Sequence, residues 1–255
     1  MKKEELTAYW KKEEAAAHMT GWDFSHISDR YCGDGDKLPW DYERVIRKYL
    51  KPTDRIVDID TGGGEFLLSL GHPYELTSAT EGYAPNVAFC REKFAPLGVD
   101  FREMNDYSRM PFEDESFDVV LDRHGEYDAQ EVFRVLKSGG VFITQQVGEK
   151  NDLELVRMLL PDAQIKFPGH NVAVQTELFR KAGFEILEQG EKATEIKFFD
   201  TGALVWFAKI IEWEFEGFSV DKCLDKLFDV QEKIEKNGFV SGSAWRFYFV
   251  AKKPY

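Results

Sequence analysis

The sequence predicts a doubly wound α/β fold, one mostly parallel sheet with helices on both faces, and three observations predict it. Short apolar runs alternate with stretches of helical spacing from about residue 54 onward, as successive βαβ units do. The runs VVL and VFIT lack polar alternation, the mark of strands buried on both faces. The run RIVDID gives way to three consecutive glycines, Gly62 to Gly64, before a helical pattern begins. A strand that turns into a helix through glycines brings backbone N–H groups close to a ligand, because no Cβ blocks the approach.

Taken in order, residues 1 to about 50 read as helical. In LPWDYERVIRKYL, Val45, Ile46, Tyr49 and Leu50 recur at helical spacing, and Pro52 ends the helix. Then come RIVDI as strand, GEFLLSL as helix, YELTSAT as strand, NVAFCREKF as helix, VDFREMN and FDVVLD as strands, AQEVFRVLK as helix and GGVFITQQV as strand. Beyond Gly148 the pattern loosens: TELFRKAGFEILEQGE is a helix, a glycine turn at Gly183 and a strand, and SAWRFYFVAKK is a final strand of aromatic and β-branched residues. Between them, residues 195–240 form an insert, aromatic in its first half and an amphipathic helix in its second. That length belongs to a lid or small cap.

Bulk composition narrows the function classes. A chain of 255 residues, 43% hydrophobic, buries a proper core as one large domain. Its 33 lysines and arginines against 46 aspartates and glutamates give −13, a surface that repels phosphate backbones and argues against a nucleic-acid partner. The three cysteines, Cys32, Cys90 and Cys223, are odd in number and lack CxxC spacing, which speaks against a disulfide framework or a zinc site and for a cytoplasmic location. No metal is expected. No run approaches the roughly 20 apolar residues of a membrane span.

Three ligand classes use a glycine turn of this kind. A P-loop needs a lysine after its second glycine; five positions beyond Gly62 is Leu67 and beyond Gly64 is Ser69, with no lysine following either. The dinucleotide fingerprint needs a small third residue, and that position is Leu67. What remains is S-adenosylmethionine. IVDIDTGGGEFL, TSATEGY, NDYSRMPFEDESFDVVLDRH and EVFRVLKSGGVFI lie in order over residues 54–147, and on them the chain resembles the class I S-adenosylmethionine-dependent methyltransferases of the type 11 kind.

The resemblance implies a seven-stranded Rossmann-like sheet with its last strand antiparallel. It implies one domain over 1–255: an N-terminal helical lid (1–50), a cofactor-binding half (51–148) and a second half (149–255) carrying the insert. It makes Asp58 the acid that closes the first strand, and Gly62 and Gly64 the glycines of the cofactor turn. It puts Glu81, with Gly82 beside it, 19 residues beyond Gly62 and on the ribose hydroxyls. It puts Asp106 at the adenine amino group and the Tyr107 backbone N–H at adenine N1, with Arg123 also on the cofactor side.

Asp60 departs from the pattern, standing where the family has its first glycine. A residue at a strand end can keep φ negative and accept a Cβ. Its carboxylate either repels the carboxylate of the cofactor or pairs with its ammonium group.

On the acceptor side, DRHGEYD after the fourth strand places His124 and Glu126 above the carboxyl edge of the sheet, with His124 the catalytic candidate, as base or orienting donor. Gln145 and Gln146 end the next strand and either bind an acceptor or satisfy backbone groups. Trp22, Trp40 and Tyr42 belong either to a lid or to the core. Trp206, Phe207, Trp213, Phe215 and Phe218 either wall an acceptor pocket or pack the insert. The place of an N/D-P-P-Y/F segment reads DRHG, and no cysteine stands there for cytosine chemistry. A small-molecule acceptor leads. A cofactor-binding protein without turnover and an RNA base methyltransferase are the alternatives.

Overall fold

A computed structural model of the protein describes residues 2–18, 23–33 and 38–255; Trp22 lies outside them. The chain divides into two compact units. One comprises 39–147, 169–192 and 246–255 and holds the glycine turn; the other comprises 1–38, 148–168 and 193–245.

In the first unit, β2 (Ile56–Ile59), β3 (Thr77–Glu81), β4 (Asp100–Glu103), β5 (Phe117–Arg123) and β6 (Leu136–Val147) are joined by four parallel pairings. Two long strands, β7 (Glu185–Phe198) and β8 (Val240–Lys252), contribute their residues 185–192 and 246–252 here. The order is β7-β8-β6-β5-β2-β3-β4, with β8 antiparallel to β6 from Val141↔Lys252 to Val147↔Arg246. Sequence order reverses between β5 and β2, which makes the carboxyl ends of those two strands the switch point of the sheet.

Side-chain alternation sorts the core into two layers. Val57, Ile59, Val120, Phe142, Phe247 and Phe249 face one side, where α5 (Ala129–Val135) and α7 (Val172–Lys181) bring Val132, Val135 and Phe179. Ile56, Val119, Leu121, Val141, Ile143 and Val250 face the other, covered by α2 (Tyr42–Tyr49), α3 (Glu65–Ser69) and α4 (Ala84–Phe94) through Val45, Ile46, Leu67, Cys90 and Phe94. Helices on both faces are the predicted double winding. The helix starts are capped as their sequences require: Asp41 accepts from Arg44 N, Asp128 from Gln130 N and Glu131 N, and Asn171 from Val174 N, each worth about 1 kcal/mol. Several boundaries differ from expectation: YELTSAT opens as a 3-10 turn over Tyr74–Leu76 and is strand only from Thr77. AQEVFRVLK leaves the helix at Leu136, where β6 begins and carries KSGG into the strand, and GEFLLSL is helical only over Glu65–Ser69.

The second unit has its own core. Here α1 (Lys3–Ala16) packs on α8 (Thr201–Ile210), and α9 (Leu224–Asn237) on α8 and α6 (Leu153–Leu159). The insert opens as strand, since β7 runs to Phe198, and then forms α8, whose Asp200 caps Ala203 N. A two-residue strand that the sequence did not announce, β1 (Tyr31–Cys32), pairs antiparallel with β7. Trp206, Phe207, Phe215 and Phe218 are buried in this core with Trp10, whereas Trp213 is exposed. Helix α9 buries Leu227, Val230 and Ile234 and leaves its Glu and Lys residues on the other face.

Candidate cofactor site at the sheet switch point

The glycine turn is fixed by Glu81. At the end of β3 its buried carboxylate accepts from Gly62 N (2.8 Å), Tyr83 N (2.8 Å), Gly82 N (2.9 Å) and Asn86 Nδ2 (3.3 Å). Four donors use the roughly four acceptor positions of a carboxylate. The longest of these bonds is that of Asn86. Below the turn, the Cys90 thiol donates to Gly62 O (3.0 Å) and the Lys93 ammonium to Gly63 O (2.7 Å).

Gly62 and Gly64 both take left-handed backbone, at φ 62° and 73°. They are glycines for different reasons. A Cβ on Gly62 meets nothing within 4 Å, the open cradle a ligand needs, whereas one on Gly64 would lie 2.2 Å from Phe94 Cζ. Gly82 is closed in as well, its Cβ position 2.5 Å from Met104 O.

Asp60 stands at φ 50°, so the expectation of a negative φ is overturned: the residue keeps the backbone a glycine adopts easily, and its side chain supplies the compensation. Oδ2 accepts from the Tyr107 hydroxyl (2.5 Å) and from Glu126 N (3.2 Å). Asp and Asn are the non-glycine residues that visit this region most readily. Asp58, one turn of the strand earlier, is buried and its pKa is pushed up to about 7, first by burial and then by the negative charge of Asp60, with Arg123 opposing. Burial raises Asp60 in the same direction.

Across the switch point, Asp122 ends the buried part of β5. Its Oδ1 accepts from Thr144 Oγ1 (3.1 Å), Gly125 N (3.3 Å) and the Gln146 amide. Burial, with the charges of Asp60 and Asp58, holds its pKa well above the usual carboxylate range. The Tyr42 hydroxyl, buried, spans Asp122 O (2.8 Å) and Ile143 O (2.9 Å), so Tyr42 belongs to the core.

The candidates thus separate into groups. Asp58, Asp60, Gly62, Glu81, Gly82 and Tyr107 converge on one end of β2 and β3, and Gly64 positions the helix behind them. Asp106 is exposed; its Oδ1 takes both bonds of a local turn, from Ser108 Oγ (2.6 Å) and Ser108 N (2.9 Å), and the residue lines an open cavity of about 470 Å³ with Asn105, Tyr107 and Glu126. Arg123 is exposed and lies over the Phe66 ring at 4.9 Å.

His124 is exposed, at φ 66°. Trp40 Nε1 can only donate, and it donates to Gln145 Oε1 at 2.9 Å. The amide nitrogen of Gln145 therefore faces His124 Nε2, at 3.4 Å, which assigns Nε2 as acceptor and the ring proton to Nδ1. Although the residue as a whole reaches solvent, packing around the ring, with the positive charge of Arg246 and Arg123, moves its pKa downward. Gln146 is held within the sheet edge, donating to Asp122, Thr144 Oγ1 (3.0 Å) and Gly125 O (3.2 Å).

Asp122, Gly125, Asn86 and Trp40 complete the site and were not singled out from sequence as cofactor or catalytic residues. Gly125 carried the available signal, a glycine directly after the strand-ending DRH. Among the described residues no cluster of three metal-ligating side chains occurs, and no helix is long and apolar enough to cross a membrane.

The residues fit a nucleoside with an amino-acid tail. The open cradle at Gly62, the acid at Glu81 and buried carboxylate oxygens beside the turn match its sugar and its cationic end. Comparison with known proteins finds likeness to methyltransferases. Residues 57–144 match the family model described as Methyltransferase domain. Over 99 residues the chain is 32% identical to the phthiotriol/phenolphthiotriol dimycocerosates methyltransferase of Mycobacterium tuberculosis, a stretch covering 36% of each protein; the chain thus spans about a third of that relative's length. Among solved structures, a proposed methyltransferase of Bacillus halodurans aligns at TM-score 0.58 and 19% identity, covering 84% of this chain and 99% of that one. A methyltransferase of Methanosarcina mazei described as S-adenosylmethionine-dependent aligns at 0.52 and 19%, covering 82% and 97%. At these identities the two structures speak for the fold.

Proposed function

Taking residues 57–144 as a methyltransferase domain of the S-adenosylmethionine-dependent class, we propose that the protein binds this cofactor at the β2–β5 switch point and transfers its methyl group to a small-molecule acceptor. The observation that carries the reading is the glycine turn held by Glu81 beside an open cradle at Gly62. S-adenosylmethionine brings an electrophilic methyl group on a sulfonium, so the protein's task is alignment and exclusion of water.

Each residue has a proposed part. Glu81 and Gly62 seat the ribose, with Asn86 yielding its bond. Asp106 and the Tyr107 N–H face the adenine from the open cavity. Asp58 and Arg123 set the charge beneath the tail, and Gly82 leaves room for the loop beside Glu81. His124 presents its Nδ1–H toward the acceptor as an orienting donor; with Nε2 turned to Gln145 and its pKa depressed, it is a poor base. The acceptor is proposed to be a discrete molecule, in line with the net charge of −13 and with the mycobacterial relative, whose name gives a phthiotriol derivative as its acceptor.

Calorimetric titration with S-adenosylhomocysteine, followed by a radiolabelled-methyl screen over metabolites and RNA, tests the reading. Micromolar binding and label transfer to a metabolite are expected. No binding to the wild type, restored by Asp60→Gly, would mean that the site has lost its cofactor.

A further inference from the structure

We propose that the methyl acceptor is an acid, held by its carboxylate between the guanidinium of Arg123 and the Nδ1–H of His124. The inference rests on the cofactor reading above and names the chemical class of the molecule that takes the methyl group.

Two independent observations carry it. The first is a set of donors without acceptors. A guanidinium presents five N–H donors and no acceptor, and among the described residues none of those of Arg123 meets a hydrogen-bond acceptor or an ion-pair partner. The group lies over the Phe66 ring at 4.9 Å, a contact that steadies it without engaging its N–H groups. His124 Nε2 is turned to the Gln145 amide, so the proton on Nδ1 points elsewhere, and no described acceptor meets it. Gln145 Oε1, an acceptor on this edge, already takes the Trp40 Nε1–H. Both Arg123 and His124 are exposed, so a dissolved molecule reaches them.

The second observation is position. Arg123 pairs with Gln145, and Gln145 with Tyr248, across β5, β6 and β8, so the three side chains share one face of the sheet. Alternation along β5 would send residue 124 to the other face; the left-handed backbone of His124 ends the strand, and its ring meets Gln145 instead. The Trp40 ring lies against Tyr248 at 4.8 Å and gives the row an aromatic wall. In the order β6-β5-β2, Gln145 stands two strand spacings, roughly 10 Å, from the strand that feeds the glycine turn. The donors are thus beside the cofactor cradle and outside it, where an acceptor aligned with the methyl group belongs.

The local charge runs against that of the chain. In a protein of net charge −13, Arg246 occupies the same face two residues from Tyr248, opposite Val147, and its positive field joins that of Arg123 at the His124 ring. The acids around the row are turned away or engaged. Glu188 is held by the Lys48 ammonium (3.0 Å) and the Tyr49 hydroxyl (2.6 Å), Asp122 faces Thr144, and Asp58 is buried. A carboxylate brings two oxygens and one negative charge, one oxygen for the guanidinium and one for the imidazole N–H. An amide of the same shape brings one acceptor oxygen and no charge.

The test is nitrogen-15 NMR on the protein saturated with S-adenosylhomocysteine, titrated with benzoate, indole-3-acetate and hexanoate and with the primary amide of each. Expected is saturable movement of the Arg123 Nε–H and His124 imidazole signals with at least one acid and with none of the amides. Arg123→Gln should weaken that acid by about tenfold or more, as for a lost charge-assisted bond, and Arg123→Lys by less, with thermal melts confirming that both fold. Equal binding of acid and amide, binding of no acid, or acid binding indifferent to Arg123→Gln would overturn the acidic acceptor and leave the cofactor reading standing. Displacement of S-adenosylhomocysteine by the acids would overturn it too, since the guanidinium would then serve the cofactor's own carboxylate. Failure of S-adenosylhomocysteine to bind the wild type would overturn the cofactor reading and the acceptor class together.

Discussion

The Tyr107 hydroxyl donates to Asp60 Oδ2 across 2.5 Å and so ties the loop after β4 to the carboxyl end of β2. This bond favours the ionised form of Asp60. Tyr107→Phe should therefore raise the Asp60 pKa and weaken S-adenosylhomocysteine binding at pH 7 by roughly three- to tenfold, about 1 kcal/mol, as for one hydrogen bond to a charged group. The loss should shrink at pH 8.5, where proton competition fades; titrations at the two pH values decide it.

Glu81 satisfies three backbone amides at once. Glu81→Gln keeps one acceptor oxygen and turns an amide group toward N–H donors, so it should destabilise the fold by about 1–3 kcal/mol and weaken cofactor binding more than tenfold. Urea unfolding and calorimetry read the two effects separately.

Gly64 is packed against Phe94. Gly64→Ala should cost about 2–4 kcal/mol, combining an overpacked contact with a side chain at φ 73°. Adding Phe94→Leu should recover part of the packing share and none of the backbone share. A double-mutant cycle in urea separates them.

Asp58 makes stability fall with pH. Its folded pKa of about 7 lies above the ordinary carboxylate value of 3.8, so between these values the native state keeps a proton that the unfolded chain has lost. Stability from this group is greatest below pH 4 and is lost as pH rises toward 7, on the order of 1 kcal/mol per pH unit. Asp58→Asn cannot ionise. It should gain on the wild type from pH 5 to pH 8 in ligand-free protein, and urea unfolding at both pH values measures the gain.

His124 holds an uncommon backbone for its residue type. His124→Gly should raise stability by roughly 0.5–1 kcal/mol while lowering turnover. Trp40→Phe, which frees Gln145 from its donor, should lower turnover severalfold and leave cofactor affinity unchanged. Single-turnover kinetics with the acceptor found in the methyl screen would check both.

Strands β2, β5 and β6 were legible because buried parallel strands are written as unbroken apolar runs, and helices α4 and α7 because their apolar spacing survives in the sequence. Glu81 was legible by its distance from Gly62. The left-handed conformation of Asp60 was not, since it depends on Tyr107 and Glu126 arriving from loops that lie 47 and 66 residues away. Asp122 was hidden for a related reason: a charge at the end of an apolar run looks like the edge of solvent, and only tertiary packing buries it. The strand start at Leu136 follows from pairing with Phe117, which overrides the turn propensity of KSGG.

The four bonds on Glu81 have a kinetic meaning. Because the chain's own amides already fill that carboxylate, the turn is shaped without a ligand, and on the proposed reading nucleoside binding exchanges one weak side-chain contact instead of ordering a loop. Association should then be governed by diffusion and by access to the rim. Selectivity among nucleosides would be decided at the base and the tail, with the sugar recognised alike in all of them.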